Sequence, residues 1–192
     1  MFRKILTAHG LVPDRDVMLG YSLAPPEIAL SLVASAGQAA SAGQAAGRVS
    51  IAFLPEPFAT MALLGRPGLI SVADIQDEWI KAGGSGNYPM TLLVVDGAFA
   101  SANPDAVRII LDVVRASIEW VKAQPAEAGV LVEKHELGLR APIVTAAVPR
   151  SNYVFIPAVE ARLSLEALFR VFLEFDPVSI GGVLPAESFY LR

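Results

Sequence analysis

The sequence predicts a parallel α/β fold, and three observations carry that expectation. Short apolar runs bounded by turn residues recur at 17–21, 49–54 and 90–95. Stretches with helical spacing and helix-start signals lie between and after them. Strand and helix signals therefore alternate, which is the pattern of a parallel sheet covered by helices.

Taken in order, Phe2, Ile5 and Leu6 sit at helical spacing and Gly10 supplies a stop. Val17, Leu19 and Tyr21 then alternate as in a half-exposed strand. Pro25-Pro26-Glu27 reads as a helix start, because proline there forfeits no needed amide donor, and the helix runs to about Ala36. Residues 35–40 are repeated letter for letter at 41–46; two copies of six are too few for a solenoid and read as a lengthened helix end or loop. The run at 49–54 is a second strand, stopped by Pro55-Glu56-Pro57, and 58–64 is the next helix.

Gly83-Gly84-Ser85-Gly86-Asn87 marks a flexible junction. Residues 90–95 are continuously apolar apart from Thr91, as in a strand buried on both faces. Long helices follow. Asn103-Pro104 provides an N-cap and an N1 proline, and the polar residues at 105, 108, 112, 115, 119 and 122 leave one narrow polar stripe, so most of this helix should face protein. Gln124-Pro125 breaks it, a second helix spans 126–135, and a third spans 159–175 before Asp176-Pro177.

Composition narrows the function classes. Of 192 residues, 54% are hydrophobic and 18% are charged, against a usual charged share of about a quarter, which excludes a disordered chain. The formal charge of −4 offers no basic stripe for nucleic acid. No run of about 18 apolar residues crosses a membrane. Arg3 and Lys4 precede an apolar stretch that stops at His9-Gly10, so no export signal is expected in this chain. The absence of cysteine removes disulfides, thiolate metal sites and cysteine nucleophiles together.

The motifs of catalysis fail in turn. There is no Gly-x-Ser-x-Gly elbow, no phosphate-loop lysine motif and no dinucleotide glycine pattern after a strand. His135-Glu136 is followed three residues later by Leu139 instead of the second histidine of a zinc protease. With His9 and His135 as the two histidines, no metal site and no cofactor are expected. Pro55-Glu56-Pro57 remains as the candidate. It lies at the carboxyl end of a predicted strand, where open α/β sheets bind ligands, and the flanking prolines restrict the direction of Glu56. Glu56 either faces a ligand or complements the dipole of the following helix. Tyr21 and Ser22 reach the same edge, as does Tyr88 at the junction, each as ligand contact or as ordinary packing.

The run Gly47-Arg48-Val49-Ser50-Ile51-Ala52-Phe53-Leu54-Pro55-Glu56-Pro57-Phe58-Ala59-Thr60 resembles the "G-x-V-D-A-A-x-L-P-E-P-x-A-T" segment of substrate-binding proteins from the nitrate/sulfonate/taurine branch of ABC importers. Asp14-Arg15-Asp16-Val17 is similar to that family's "D-x-D-V". Tyr88-Pro89, Asn103-Pro104-Asp105-Ala106-Val107, Gln124-Pro125-Ala126-Glu127-Ala128 and the run from Asp176-Pro177 to Leu184-Pro185 follow in the family's order. Ser50 stands where the family commonly has Asp.

The resemblance implies a periplasmic-binding-protein-like (class II) fold, truncated at the N-terminus. Residues 1–86 would form most of the second lobe, and 87–192 a hinge strand and the C-terminal helices of the first. It implies a carrier without a chemical step, which captures a small anion or zwitterion between two lobes and docks on ABC permease subunits from the periplasm. Glu56 with Pro55, Tyr21, Ser22 and Tyr88 would line the site, helped by the helix starts at Pro25-Pro26 and Pro57-Phe58. Because Glu56 would repel a simple anion, a ligand with an amine or other donor is favoured. A homodimer covering surface bared by the truncation is a further expectation. Two other readings stay open: an intracellular sensor or interaction module, and an enzyme like the thiamin-pyrimidine synthases, whose cysteine-rich motif is missing here.

Overall fold

The computed structural model describes residues 2–34, 51–84, 86 and 89–191. Among them the ordered elements are helices: α1 (Phe2–Ala8), α2 (Pro25–Ala34), α3 (Phe58–Gly65), α4 (Ile75–Lys81), α5 (Gly97–Ala102), α6 (Pro104–Ala123), α7 (Pro125–Lys134), α8 (Ala141–Ala147) and α9 (Ala158–Phe175). Short 3-10 turns follow α8 at Val148–Arg150 and α9 at Pro177–Ile180, and another precedes the C-terminus at Glu187–Phe189.

The expected sheet is absent among the described residues, so the α/β periplasmic-binding-protein-like fold is not the fold of this chain. An isolated bridge between Pro13 and Val17 is the pairing that remains there. At the first predicted strand the chain turns instead of extending: Asp14 adopts φ 64°, its N–H donates to the Val17 carbonyl at 2.8 Å, and the Val12 N–H donates to the Asp16 carboxylate at 2.8 Å. Of the second, residues 49 and 50 and the six-residue repeat lie outside the described residues, and 51–54 run without a partner strand. Residues 90–95 are likewise unpaired and solvent-exposed, not buried on both faces. A strand is defined by its neighbour, and local apolar pattern does not supply one.

The helices follow their local signals more closely. α3, α6, α7 and α9 begin within a residue of the expected positions, beside Pro57, Pro104, Pro125 and Pro157. One cap differs. Asn103 turns its amide back to the Phe99 carbonyl at 3.1 Å and so finishes α5. α4, α5 and α8 were not foreseen; Asp74 caps α4 by accepting from Gln76 and Asp77 N–H, and Asp96 caps α5 by accepting from Phe99 N–H.

Contacts divide the chain into two units, each assembled from separated stretches. The first comprises Met1–Leu19, Ser71–Asn103 and Ile156–Arg192. Its α9 buries Leu165 and Phe169 against Tyr190, with Phe172, Ile180 and Leu184 around them. Trp79 of α4 is its most deeply buried large side chain. His9 Nε2 lies 2.6 Å from Glu78 Oε2, tying the end of α1 to α4.

The second unit comprises Gly20–Ile70 and Pro104–Phe155. α2 and α3 pack through Ala29, Leu32 and Ala62, flanked by Leu54, Phe58 and Met61. Arg66 closes that pair by donating to the Leu32 carbonyl at 2.8 Å, which satisfies an acceptor near the end of α2. α7 and α8 form a tight helical pair that depends on Gly129. A β-carbon there would lie 2.6 Å from the Ala141 carbonyl oxygen and 2.8 Å from Thr145 Oγ1. Glu133 completes the pair by accepting from the Ala141 N–H and from Arg140 Nε.

Candidate functional site

The candidate site is built where 51–57 enters α3. All four N–H groups of the first turn of α3 are satisfied within the chain. Phe58 and Ala59 donate to the Pro55 carbonyl, Met61 donates to the Pro57 carbonyl, and Thr60 donates to Glu56 Oε2 at 3.1 Å. Glu56 therefore serves as the side-chain cap of a helix whose N-cap residue, Pro57, provides none. The peptide bond between Glu56 and Pro57 is cis.

The other oxygen of the same carboxylate, Oε1, accepts from Arg150 Nε at 2.8 Å. The Glu56 side chain is 14% exposed and that of Arg150 is 47% exposed. The negative charge is thus mostly withdrawn from water and countered at once, whereas the guanidinium still reaches solvent. Nε is engaged with Glu56, and the two Nη groups carry four further N–H donors in a planar fork suited to an oxyanion. Beside the pair, Thr60 is 3% exposed and its hydroxyl makes no hydrogen bond.

The remaining expected residues are placed differently. Tyr21 and Ser22 are exposed in an irregular stretch ahead of α2, and neither forms a hydrogen bond to Glu56. Pro55 contributes its carbonyl to the first turn of α3. Tyr88 lies outside the described residues. The start of α2 offers little to an anion, because Pro25 and Pro26 have no N–H, the Ile28 N–H donates to the Ala24 carbonyl, and the Glu27 carboxylate accepts from the Ala24 N–H. The first turn of α3 is likewise committed, so helix N-termini are not the donors here. Sequence reasoning missed Arg150, which stands 94 residues from Glu56 at the end of a 3-10 turn and follows no motif.

Elsewhere, a groove of about 190 Å³ runs between Pro89, Met90 and Leu92 and the Leu165, Phe169 and Phe172 side of α9. Its lining is apolar, and it is smaller than the roughly 300 Å³ at which small-molecule pockets begin. Near the C-terminus, Tyr190 is buried with its hydroxyl unpartnered, and burial pushes its ionisation above the ordinary phenol range. The Arg162 guanidinium lies 5.1 Å from the centre of its ring. Arg162 and Arg170 both bond Glu166, and Arg162 in particular holds that carboxyl below the usual range.

Among the described residues, no group of three or more His, Cys, Asp or Glu side chains is arranged to hold a metal ion. None of the described helices is long and apolar enough to cross a membrane. Compared with protein-family models, with curated proteins and with solved structures, the chain matches none of them.

Proposed function

We propose that this chain works by binding and not by catalysis, as the solute-binding component of an ABC importer that captures a small anionic or zwitterionic molecule outside the cytoplasm and presents it to permease subunits. The ordered run of sequence motifs around Pro55-Glu56-Pro57, Asn103-Pro104 and Gln124-Pro125 supports the family reading without any appeal to a sheet. The observation that carries the ligand class is the Glu56–Arg150 pair. Glu56 on its own would repel an anion; with Arg150 against it the local charge is balanced, and the guanidinium edge left in solvent can grip a sulfonate, carboxylate or nitrate oxygen. Glu56 then acts as the residue that aims Arg150.

The test uses taurine and nitrate as probes in titration calorimetry, with native mass spectrometry to detect either on the chain. One of the two should bind the wild type, and Arg150→Gln should weaken it about 100-fold or more, as the loss of a charge-assisted bidentate contact does. Far-UV circular dichroism establishes that the variant is folded. Failure of both probes, or equal binding by Arg150→Gln, removes the reading.

A second reading, an interaction module, is favoured by a different observation. Leu93 and Val94 project into solvent from a backbone segment that pairs with no other strand among the described residues. Exposed apolar side chains in this number mark contact surfaces more often than free ones.

A further inference from the structure

We infer that residues 183–191 are a strap that lifts from α9 as one piece, hinged at Gly181-Gly182 and latched by Tyr190, and that lifting it opens an apolar site along α9. The hinge consists of two consecutive left-handed residues, Gly181 at φ 74° and Gly182 at φ 79°. A β-carbon at either would meet nothing within 4 Å, so glycine is demanded by the backbone conformation and not by crowding. The Gly182 N–H closes the turn after α9 by donating to the Pro177 carbonyl at 2.8 Å. Beyond it, the backbone hydrogen bonds among the described residues are local: the Phe189 N–H donates to the Ala186 carbonyl, and the Tyr190 N–H donates to the Glu187 carbonyl. No backbone bond among the described residues ties the strap to α9.

Side chains therefore hold the strap down, and few of them do. Tyr190 is 4% exposed, Leu184 and Pro185 are half-buried, and the remaining residues from Val183 to Leu191 are exposed. Tyr190 packs on Leu165 and Phe169, with the Arg162 guanidinium over its ring and Phe189 edge-on beside it. A segment with local hydrogen bonds and one buried anchor opens at far lower cost than the helix beneath it. The anchor is weakened by its own hydroxyl, which is buried without a partner and regains water when the strap lifts. Phenylalanine would fill the same place without that penalty, so tyrosine makes a latch that both holds and lets go. The side chains under the latch give the motion its consequence. Leu165 and Phe169 also form part of the α9 wall of the groove that Met90 and Leu92 close from the other side. With the strap lifted, that groove runs on into the newly bared Leu165 and Phe169 and passes from a narrow cleft to a site of small-molecule size.

The experiment is cleavage of the full, folded chain by a glutamate-specific endoprotease, read by mass spectrometry as loss of the five residues after Glu187. Where opening and closing are fast relative to cleavage, the rate follows the opening equilibrium. Cleavage after Glu187 should come well before cleavage after Glu166 or Glu174, which needs α9 itself to unfold. Tyr190→Phe should slow it about 10-fold, because the closed strap no longer buries an unpaired hydroxyl. Gly182→Ala strains the closed hinge and should speed it about 5-fold. Tyr190→Ala removes the latch and should speed it about 100-fold, with the helical circular dichroism retained. The dye anilinonaphthalene sulfonate reports the uncovered face, and its fluorescence should rise in Tyr190→Ala and fall below wild type in Tyr190→Phe. Cleavage after Glu187 no earlier than after Glu166, a Tyr190→Phe rate equal to or above wild type, or dye fluorescence that is the same in all three chains overturns the inference.

Discussion

Glu56 and Arg150 stand 94 residues apart in sequence and are joined by a 2.8 Å hydrogen bond from Arg150 Nε to Glu56 Oε1, while Glu56 Oε2 holds the Thr60 N–H. One carboxylate thus caps α3 and anchors the turn after α8. Glu56→Ala removes the cap and leaves the guanidinium unpaired, and should cost about 1–2 kcal/mol of unfolding free energy. Glu56→Gln keeps an acceptor for Thr60 and should cost about half of that. Arg150→Ala strands a mostly buried carboxylate, a loss reduced by the half-exposure of Arg150 to about 1 kcal/mol. Urea midpoints of the two single variants and the double variant give the coupling directly. A coupling of zero would mean that the two side chains do not meet in solution.

What was legible in the sequence, and what was not, follows the range of the interactions involved. α3, α6, α7 and α9 announce themselves because a proline at the start and an apolar stripe at helical spacing act within one or two turns of chain. α4, α5 and α8 are six or seven residues long, too short for a periodic pattern to stand out, although Asp74 and Asp96 are ordinary cap residues. The strand expectations failed for the opposite reason. Apolar runs such as 90–95 satisfy the local criterion for a buried strand, but a strand also needs a neighbour, and none of the described residues supplies it. At the candidate site, the prolines around Glu56 mark the start of α3, while the carboxylate itself is held by the Thr60 N–H and Arg150. Arg150 could not be found that way, because its partner is set by the packing of α3 with α8.

Acid should weaken the fold at a predictable point. Glu166 is held below the ordinary carboxylate range chiefly by Arg162, Glu133 chiefly by the Ala141 N–H, and Glu78 chiefly by Lys81 and then His9. Each is depressed in the folded state, so the unfolded chain takes up protons first as pH falls. Their contribution is complete above the unfolded glutamate value of about 4.3 and disappears as pH passes below it through the lower folded values. The urea midpoint should therefore be level in this respect from pH 7 to about pH 5 and drop below about pH 4. The cationic partners Lys81, His9, Arg162 and Arg170 reach solvent, so added salt should shrink the share owed to Glu78 and Glu166. Glu133 depends first on a backbone donor and should keep most of its share. A midpoint constant down to pH 3 would count against all three contacts.

Gly84 and Trp79 set the last expectation. The Gly84 N–H donates to the Trp79 carbonyl at 2.9 Å, which brings the chain after α4 back across the indole. Trp79 is 1% exposed, and a β-carbon on residue 84 would lie 2.1 Å from its ring. No rotation of a buried indole relieves so short an approach without moving its neighbours, so Gly84→Ala must displace either the ring or the backbone. The cost should be about 1–3 kcal/mol, the usual penalty for overfilling a packed interior. Trp120 is half-exposed and would blur the optical signal, so the comparison belongs in a Trp120→Phe background. There, Trp79 emission should lie in the blue in the parent and move red in Gly84→Ala, alongside a lower urea midpoint. If emission and midpoint are both unchanged, the indole does not lie against residue 84, and the seating of α4 in its unit would have to be redrawn.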